Sequence, residues 1–359
     1  MWRDRRILDL FGIELPILLA PMAGCGGSDL AIAVAEAGGL GSLPCAMLSP
    51  DQIRAELGII RQRTDGPVNL NFFCHRQPDP DPAREAQWRR RLAHYYAEFG
   101  LDPDAVPPGP GRNPFNEESC AIVEEYRPEV VSFHFGLPDE PLLERVRGTG
   151  AKIIASATTV AEARWLEEHG CDVVIAQGAE AGGHRGIFLE DDISTQPGTV
   201  ALVPQVVDAV SIPVIATGGI SDARGVAAAS MLGASAVQVG TAYLQSPEAL
   251  SSPIHREALA KARDDRTALT NLFTGRPARG LLNRLMREVG PISADAPAFP
   301  LATAALAPLR KAAESAGSGD FSPLWAGQAA ALARPMPAGE LTRRLAEEAR
   351  GLLSGSAIA

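Results

Sequence analysis

Eight short apolar runs recur along the chain with helix-patterned stretches between them, and this alternation constrains the fold more than any other feature of the sequence. The runs are PILLA at 16–20 (β1), LGSLP at 40–44 (β2), VNLNFF at 68–73 (β3), VVSFHFG at 130–136 (β4), KIIASA at 152–157 (β5), DVVIAQG at 172–178 (β6), PVIATGG at 213–219 (β7) and AVQVGTA at 236–242 (β8). Several are apolar almost without a break and rich in β-branched residues, as parallel strands covered on both faces must be. Between them lie LAIAVAEAG, TVAEARWLEEHG and DARGVAAASMLG, with apolar residues at helical spacing. Thr159 and Ser221 stand where N-caps belong, and glycines follow at the C′ position. Strand and helix in alternation imply a parallel α/β sheet. Eight strands make a closed (β/α)8 TIM barrel the economical architecture, with an open doubly wound sheet as the alternative.

The spacing is uneven. From β5 to β8 the units are compact, but residues 74–127, between β3 and β4, form an insertion. It carries Pro-rich pieces, QPDPDP and DPDAVPPGPGRNP, around the helical segment AREAQWRRRLAHYYAEFG. Long loops inside compact folds usually have a function, so a lid or a barrel-side excursion is expected here. The Arg-rich run in it reads as a solvated helix face. The chain thus divides into a barrel at 1–245 and a helical C-terminal extension at 246–359 that packs on it.

Composition removes several function classes. Lys and Arg number 33 against 43 Asp and Glu, a net charge of −10, which opposes nucleic-acid binding and polybasic membrane attachment. Five cysteines at 25, 45, 74, 120 and 171 are widely spaced and include no C-x-x-C, so neither a disulfide framework nor a metal site is expected. No apolar run of signal-peptide length opens the chain, and the uncharged stretch 225–247 is interrupted by Gly, Ser and Gln. A cytoplasmic protein, not bound to membrane, is the expectation.

The chemistry-bearing residues gather at the carboxyl ends of the strands, where barrels of this kind bind ligands. β7 ends in Thr217-Gly218-Gly219 and β8 in Gln238-Val239-Gly240-Thr241. Glycines there let backbone N–H groups approach an anion, and a following helix N-terminus adds its dipole. The other reading is that they only make turns. No G-x-G-x-x-G follows a strand and no P-loop occurs, so a phosphate here belongs to a mononucleotide cofactor or to a phosphorylated substrate.

After β6 the loop Gln177–Gly186 holds four glycines and His184, whose imidazole suits proton abstraction. On β4, alternation places Ser132, His134 and Gly136 on one face and Val131, Phe133 and Phe135 on the other. His134 either points into the barrel mouth or is a hydrogen-bonded core histidine. Asn69 and Asn71 share a face of β3, either as partners for a flavin-like ring or as structural amides. β1 runs into Ala20-Pro21-Met22-Ala23-Gly24, small residues and a Pro-fixed turn that would let the main chain lie against an aromatic plane. His75, His94, His169 and His255 show no ligand spacing and read as surface or core residues.

With these segments in view, the chain resembles the nitronate monooxygenase family, formerly the 2-nitropropane dioxygenases, in its class I branch. PILLAPMAG, VNLNFFCH, VVSFHFG, AQGAEAGGHRG, PVIATGGISDARG, VQVGTAYL, FTGRPARG and GDFSPLWAGQ carry the likeness from about residue 16 to 328, and AEAGGHRG is the most specific. The resemblance implies a TIM barrel with non-covalent FMN that oxidises alkyl nitronates with O2 to carbonyl compounds and nitrite. It implies FMN contacts at Met22, Ala23, Gly24, Asn69, Gln177, Gly182, Gly218, Gly219, Gln238, Val239, Gly240 and Thr241. His184 matches the family's catalytic histidine, with His134 as a second candidate. A nitronate and O2 are the implied reaction partners, and a homodimer stays open. Two other readings fit the same residues: an FMN-dependent enoyl-acyl-carrier-protein or NAD(P)H:quinone reductase, and a barrel that binds a phosphorylated ligand without redox chemistry.

Overall fold

The computed structural model describes residues 2, 4–103 and 112–355. Eight parallel strands form one sheet: β1 (Ile17–Leu19), β2 (Gly41–Pro44), β3 (Val68–Phe73), β4 (Val130–His134), β5 (Lys152–Ala157), β6 (Val173–Gln177), β7 (Val214–Thr217) and β8 (Ala236–Val239). From β2 to β8 each strand pairs with the next in sequence, and β8 pairs with β1. A parallel bridge between Leu18 and Leu40 closes the ring beside β2. The closed barrel, not the open sheet, is therefore the fold.

Period-two alternation sets the character of the barrel interior from end to end. At the amino ends, Leu18, Val130, Ile154, Val173, Ile215 and Ala236 pack against Ile7, Leu8 and Phe11 of the first helix, Arg6–Phe11, which plugs the bottom. Two residues further along the strands, or four on β6, stand Ser132, Ser156, Thr217, Gln238 and Gln177. The floor is thus apolar and the mouth polar. Outward-facing Val131, Phe133, Val174, Ala176, Ala216 and Val239 form the main core against the surrounding helices.

Local sequence fixes the helix starts. Ser49 and Gln52 make a reciprocal capping box at Pro50–Arg63, and Thr159 accepts from the Glu162 N–H at Val160–Glu168. At Ala223–Met231 the cap is Asp222, not Ser221: its carboxylate takes the N–H groups of Arg224 and Gly225.

The two irregular parts of the chain are arranged differently from the expectation. Glu117–Tyr126, inside the expected insertion, packs between Pro50–Arg63 and Glu140–Gly148 and is the helix of the third barrel unit. The C-terminal helix Ala338–Leu353 packs between Ala223–Met231 and Ser28–Glu36, the position of the eighth barrel helix. What remains of insertion and tail shares a second core. Trp88, Leu92, Tyr95 and Tyr96 of helix Pro82–Glu98 bury against Leu272, Leu285, Leu309 and Phe321. The Tyr96 hydroxyl donates to the Ala305 carbonyl at 2.6 Å. The Arg-rich helix is therefore solvated on one face only, with Arg90 and Arg91 outward. No helix among the described residues is long and apolar enough to cross a membrane.

Candidate active site

A large cleft opens at the carboxyl ends of the strands. Its wall includes Ala20–Ala23 after β1, Asn71 and Phe73 of β3, Ser132 and His134 of β4, and Gln177 and Gly182–His184 around β6. Thr217–Ser221, Gln238, Gly240 and Thr241 complete the barrel side, while Arg112, His255 and Trp325 come from the irregular parts.

His184 is held by main chain and side chain together. Gly183–His184 is the edge of a small antiparallel ribbon with Ala278–Leu281 and Thr267–Thr270, and His184 pairs with Ala278. Its carbonyl accepts from Gln177 Nε2 at 3.0 Å and lies 3.2 Å from His134 Nε2. A carbonyl only accepts, so His134 carries its proton on Nε2, and its Nδ1 receives the Ser156 hydroxyl at 3.1 Å. Burial, with Arg276 nearby, lowers the His134 pKa to about 3. His134 is thus a neutral donor to the His184 main chain. Gln177 also accepts the Gly186 N–H at 2.8 Å, so both ends of its amide pin the loop. Fully buried Arg185 completes the clamp by donating to the Gln177 and Gly178 carbonyls and to Gln196.

The His184 ring lies with Nε2 2.9 Å from Thr274 Oγ1, which is itself 3.3 Å from the Arg276 carbonyl. The bonds are consistent when Nε2–H donates to Thr274 and the hydroxyl donates onward to Arg276; Nδ1 then keeps the lone pair. Burial holds the His184 pKa well below its ordinary value, reinforced by Arg112, His134, Arg276 and His75. Aromatic rings surround it: Phe299 at 5.4 Å, Trp325 at 5.5 Å, Phe135 at 6.0 Å and Phe73 at 6.1 Å between centroids. Phe135 has φ +72, which breaks the expected alternation and turns its ring into this group.

Elsewhere on the wall, backbone turns and an unpaired amide oxygen take the place of bulky side chains. Gly218 and Gly219 adopt φ +112 and +69 at the end of β7, a backbone conformation that side chains rarely allow. Gly182 admits no side chain, because a Cβ would stand 2.5 Å from the Gly327 nitrogen. Gln238 Oε1 and Asn69 Oδ1 are buried with no hydrogen-bond partner among the described residues. A planar group with N–H donors would satisfy Gln238.

Most expected contact residues line the same cleft, with four differences. Asn71, not Asn69, reaches the wall; Asn69 sits one layer deeper and donates to Ser42 Oγ at 3.0 Å. Val239 faces outward into the main core, and Gly24, at φ +79, makes the turn behind Ala23. The helix N-terminus after β7 has its N–H groups engaged by Asp222. Sequence reasoning missed Arg112, Thr274 and Trp325, although FTGRPARG and GDFSPLWAGQ contain the last two.

The nitronate monooxygenase family profile matches residues 4–348. A nitronate monooxygenase of Pseudomonas aeruginosa is 44% identical over 352 residues, spanning 96% of this chain and 99% of the relative. One from Paraburkholderia phytofirmans is 40% identical, over 96% of this chain and 94% of the relative. Among solved structures, nitroalkane oxidase from Streptomyces ansochromogenes superposes with a TM-score of 0.88 at 39% identity, covering 98% of this chain and 100% of that one. FabK from Thermotoga maritima gives a TM-score of 0.72 at 29% identity, over 99% and 98%.

Proposed function

The chain belongs to the nitronate monooxygenase family, and on that premise we propose that it oxidises alkyl nitronates with O2 to carbonyl compounds and nitrite, using FMN. The observation that carries this reading is the uncharged His184 imidazole, its carbonyl doubly bonded and its Nε2 engaged by Thr274, on the wall of an aromatic-lined cleft.

The residues fit a flavin. Met22 and Ala23 offer a low wall for the ring, Gln238 an unpartnered amide oxygen, and Gly218, Gly219, Gly240 and Thr241 a backbone cradle for the phosphate. FMN bound there supplies the electron-accepting ring that reacts with O2. The protein's own residues do the rest. Neutral His184 takes the α-proton of a nitroalkane at Nδ1, or positions a substrate that arrives as the anion. Phe73, Phe135, Phe299 and Trp325 keep bulk water from the reacting carbon.

The test is anaerobic mixing of the purified yellow protein with an alkyl nitronate, NADH or NADPH, followed by nitrite assay in air. Bleaching by nitronate and nitrite release are expected. Bleaching by a nicotinamide alone, with no response to nitronate, would overturn the reading in favour of a reductase.

A further inference from the structure

Among the described residues of the cleft wall there is no Asp, Glu or Lys, and one guanidinium, that of Arg112. The neighbouring arginines are committed elsewhere. Arg185 is bonded to the loop carbonyls, and Arg276 donates to the Ile187 carbonyl with its guanidinium 4.1 Å above the Phe135 ring. Arg112 differs. Its carbonyl accepts from His75 Nε2 and from Gln77 Nε2, each at 3.0 Å, which fixes the backbone at the cleft edge. Its guanidinium stacks 5.4 Å from the Phe299 ring, yet no carboxylate or carbonyl among the described residues accepts from it. Burial has already pushed its pKa below the ordinary arginine value. A half-desolvated cation without a counter-ion is costly, and an anionic ligand in the cleft would offset that cost.

Its position says which anion. Arg112 stands with Phe299 and His75, and Phe299 also packs on His184, so the guanidinium belongs to the substrate end of the cleft. The Gly218–Gly219 and Gly240–Thr241 turns lie across the ring, after β7 and β8. A nitronate presents two coplanar oxygens sharing one negative charge, the geometry that a guanidinium fork matches with paired hydrogen bonds.

We propose that Arg112 anchors the paired oxygens of the substrate's nitronate group and so selects the ionised substrate over the neutral nitroalkane. This rests on the nitronate-oxidising reading above.

The experiment compares parent protein, Arg112→Gln and Arg112→Lys, each loaded with flavin. Three quantities are read: the KM for an alkyl nitronate, the calorimetric Kd of inorganic nitrite, and the inhibition constant of the matching neutral nitroalkane. Arg112→Gln is expected to weaken nitronate and nitrite about tenfold or more, the scale of a lost charge-assisted hydrogen bond, and the neutral compound by less than about threefold. Arg112→Lys should recover part of the loss, and flavin content should not change. Equal weakening of neutral and anionic ligands, unchanged nitrite binding in Arg112→Gln, or loss of flavin from both variants would overturn the proposal. A parent that binds nitrite through Arg112 but does not oxidise nitronates would overturn the functional reading and leave the anchor standing. A parent that oxidises nitronates with Arg112→Gln its equal would do the reverse.

Discussion

His184 keeps its lone pair at Nδ1 only while Thr274 holds the ring's one N–H at Nε2. Thr274→Ala removes that partner and frees the ring to take the opposite tautomer. Turnover of neutral nitroalkanes should fall about 10- to 100-fold, as when an outer partner of a working imidazole is lost. Turnover of preformed nitronates should fall much less, since no proton has to be taken; equal losses on the two forms would remove Thr274 from this role. The pH dependence follows from the same burial. A protonated imidazole cannot accept, but the His184 pKa lies well below its ordinary 6.5. Rate on neutral nitroalkane should therefore hold level as pH drops through 6.5 and decline only in more acid solution. An acid limb centred near 6.5 would contradict it. His184 was legible because it sits in its own glycine-rich loop. Thr274 and Arg112 were not, because their proximity to His184 arises from folding across 90 and 72 residues of sequence, and a lone Thr or Arg carries no local periodicity.

At the scale of the element, the turn after β7 shows what a local motif can and cannot disclose. Gly219 has φ +69, and a Cβ added there would come within 3.2 Å of the Glu180 side chain. Gly219→Asp adds strain, crowding and a negative charge at the proposed phosphate cradle, so flavin content of the purified protein should drop severely; full retention would place the phosphate elsewhere. The Thr-Gly-Gly sequence announced this turn. It did not announce that Asp222 already occupies the donors of the following helix. The C-terminal helix was hidden for another reason. A 92-residue excursion, 246–337, separates β8 from Ala338–Leu353, so the eighth unit looked like an appendage. We propose to divide the chain accordingly, with Ala338–Leu353 counted in the barrel and the described residues of 74–103, 112–116 and 246–337 forming a cap. Leu345 is 2% exposed in the barrel core and Thr342 shares a 2.8 Å hydrogen bond with Tyr243. Leu345→Ala should then cost about 2–4 kcal/mol of stability, measured by denaturant unfolding. A change below about 0.5 kcal/mol would mean the helix is a loosely attached tail.

Across the whole molecule, the apolar floor makes the barrel stable and the polar mouth makes it useful, but four histidines of barrel and cap are drawn out of water. His75 is lowered to about 4 by burial, His134 to about 3, His184 further from its usual value, and His255 in the same direction. Unfolded, each titrates near 6.5. Between that value and the lower folded ones, the unfolded chain binds protons that the folded chain refuses. Stability is therefore fully present above about pH 6.5 and drains as pH falls, by up to about 1.4 kcal/mol per pH unit for each such histidine. The effect is collective, since the positive charges of Arg112 and Arg276 bear on both His75 and His184. Thermal melts should show Tm steady from pH 8 to 7 and falling markedly between 6.5 and 5, a range in which carboxylates change little. His75→Gln should flatten that fall by removing one titrating group whose Nδ1 is buried without a partner. A Tm that stays level down to pH 5 would mean the cap opens enough to hydrate its histidines, and the dry cleft on which the neutral His184 depends would be lost with it.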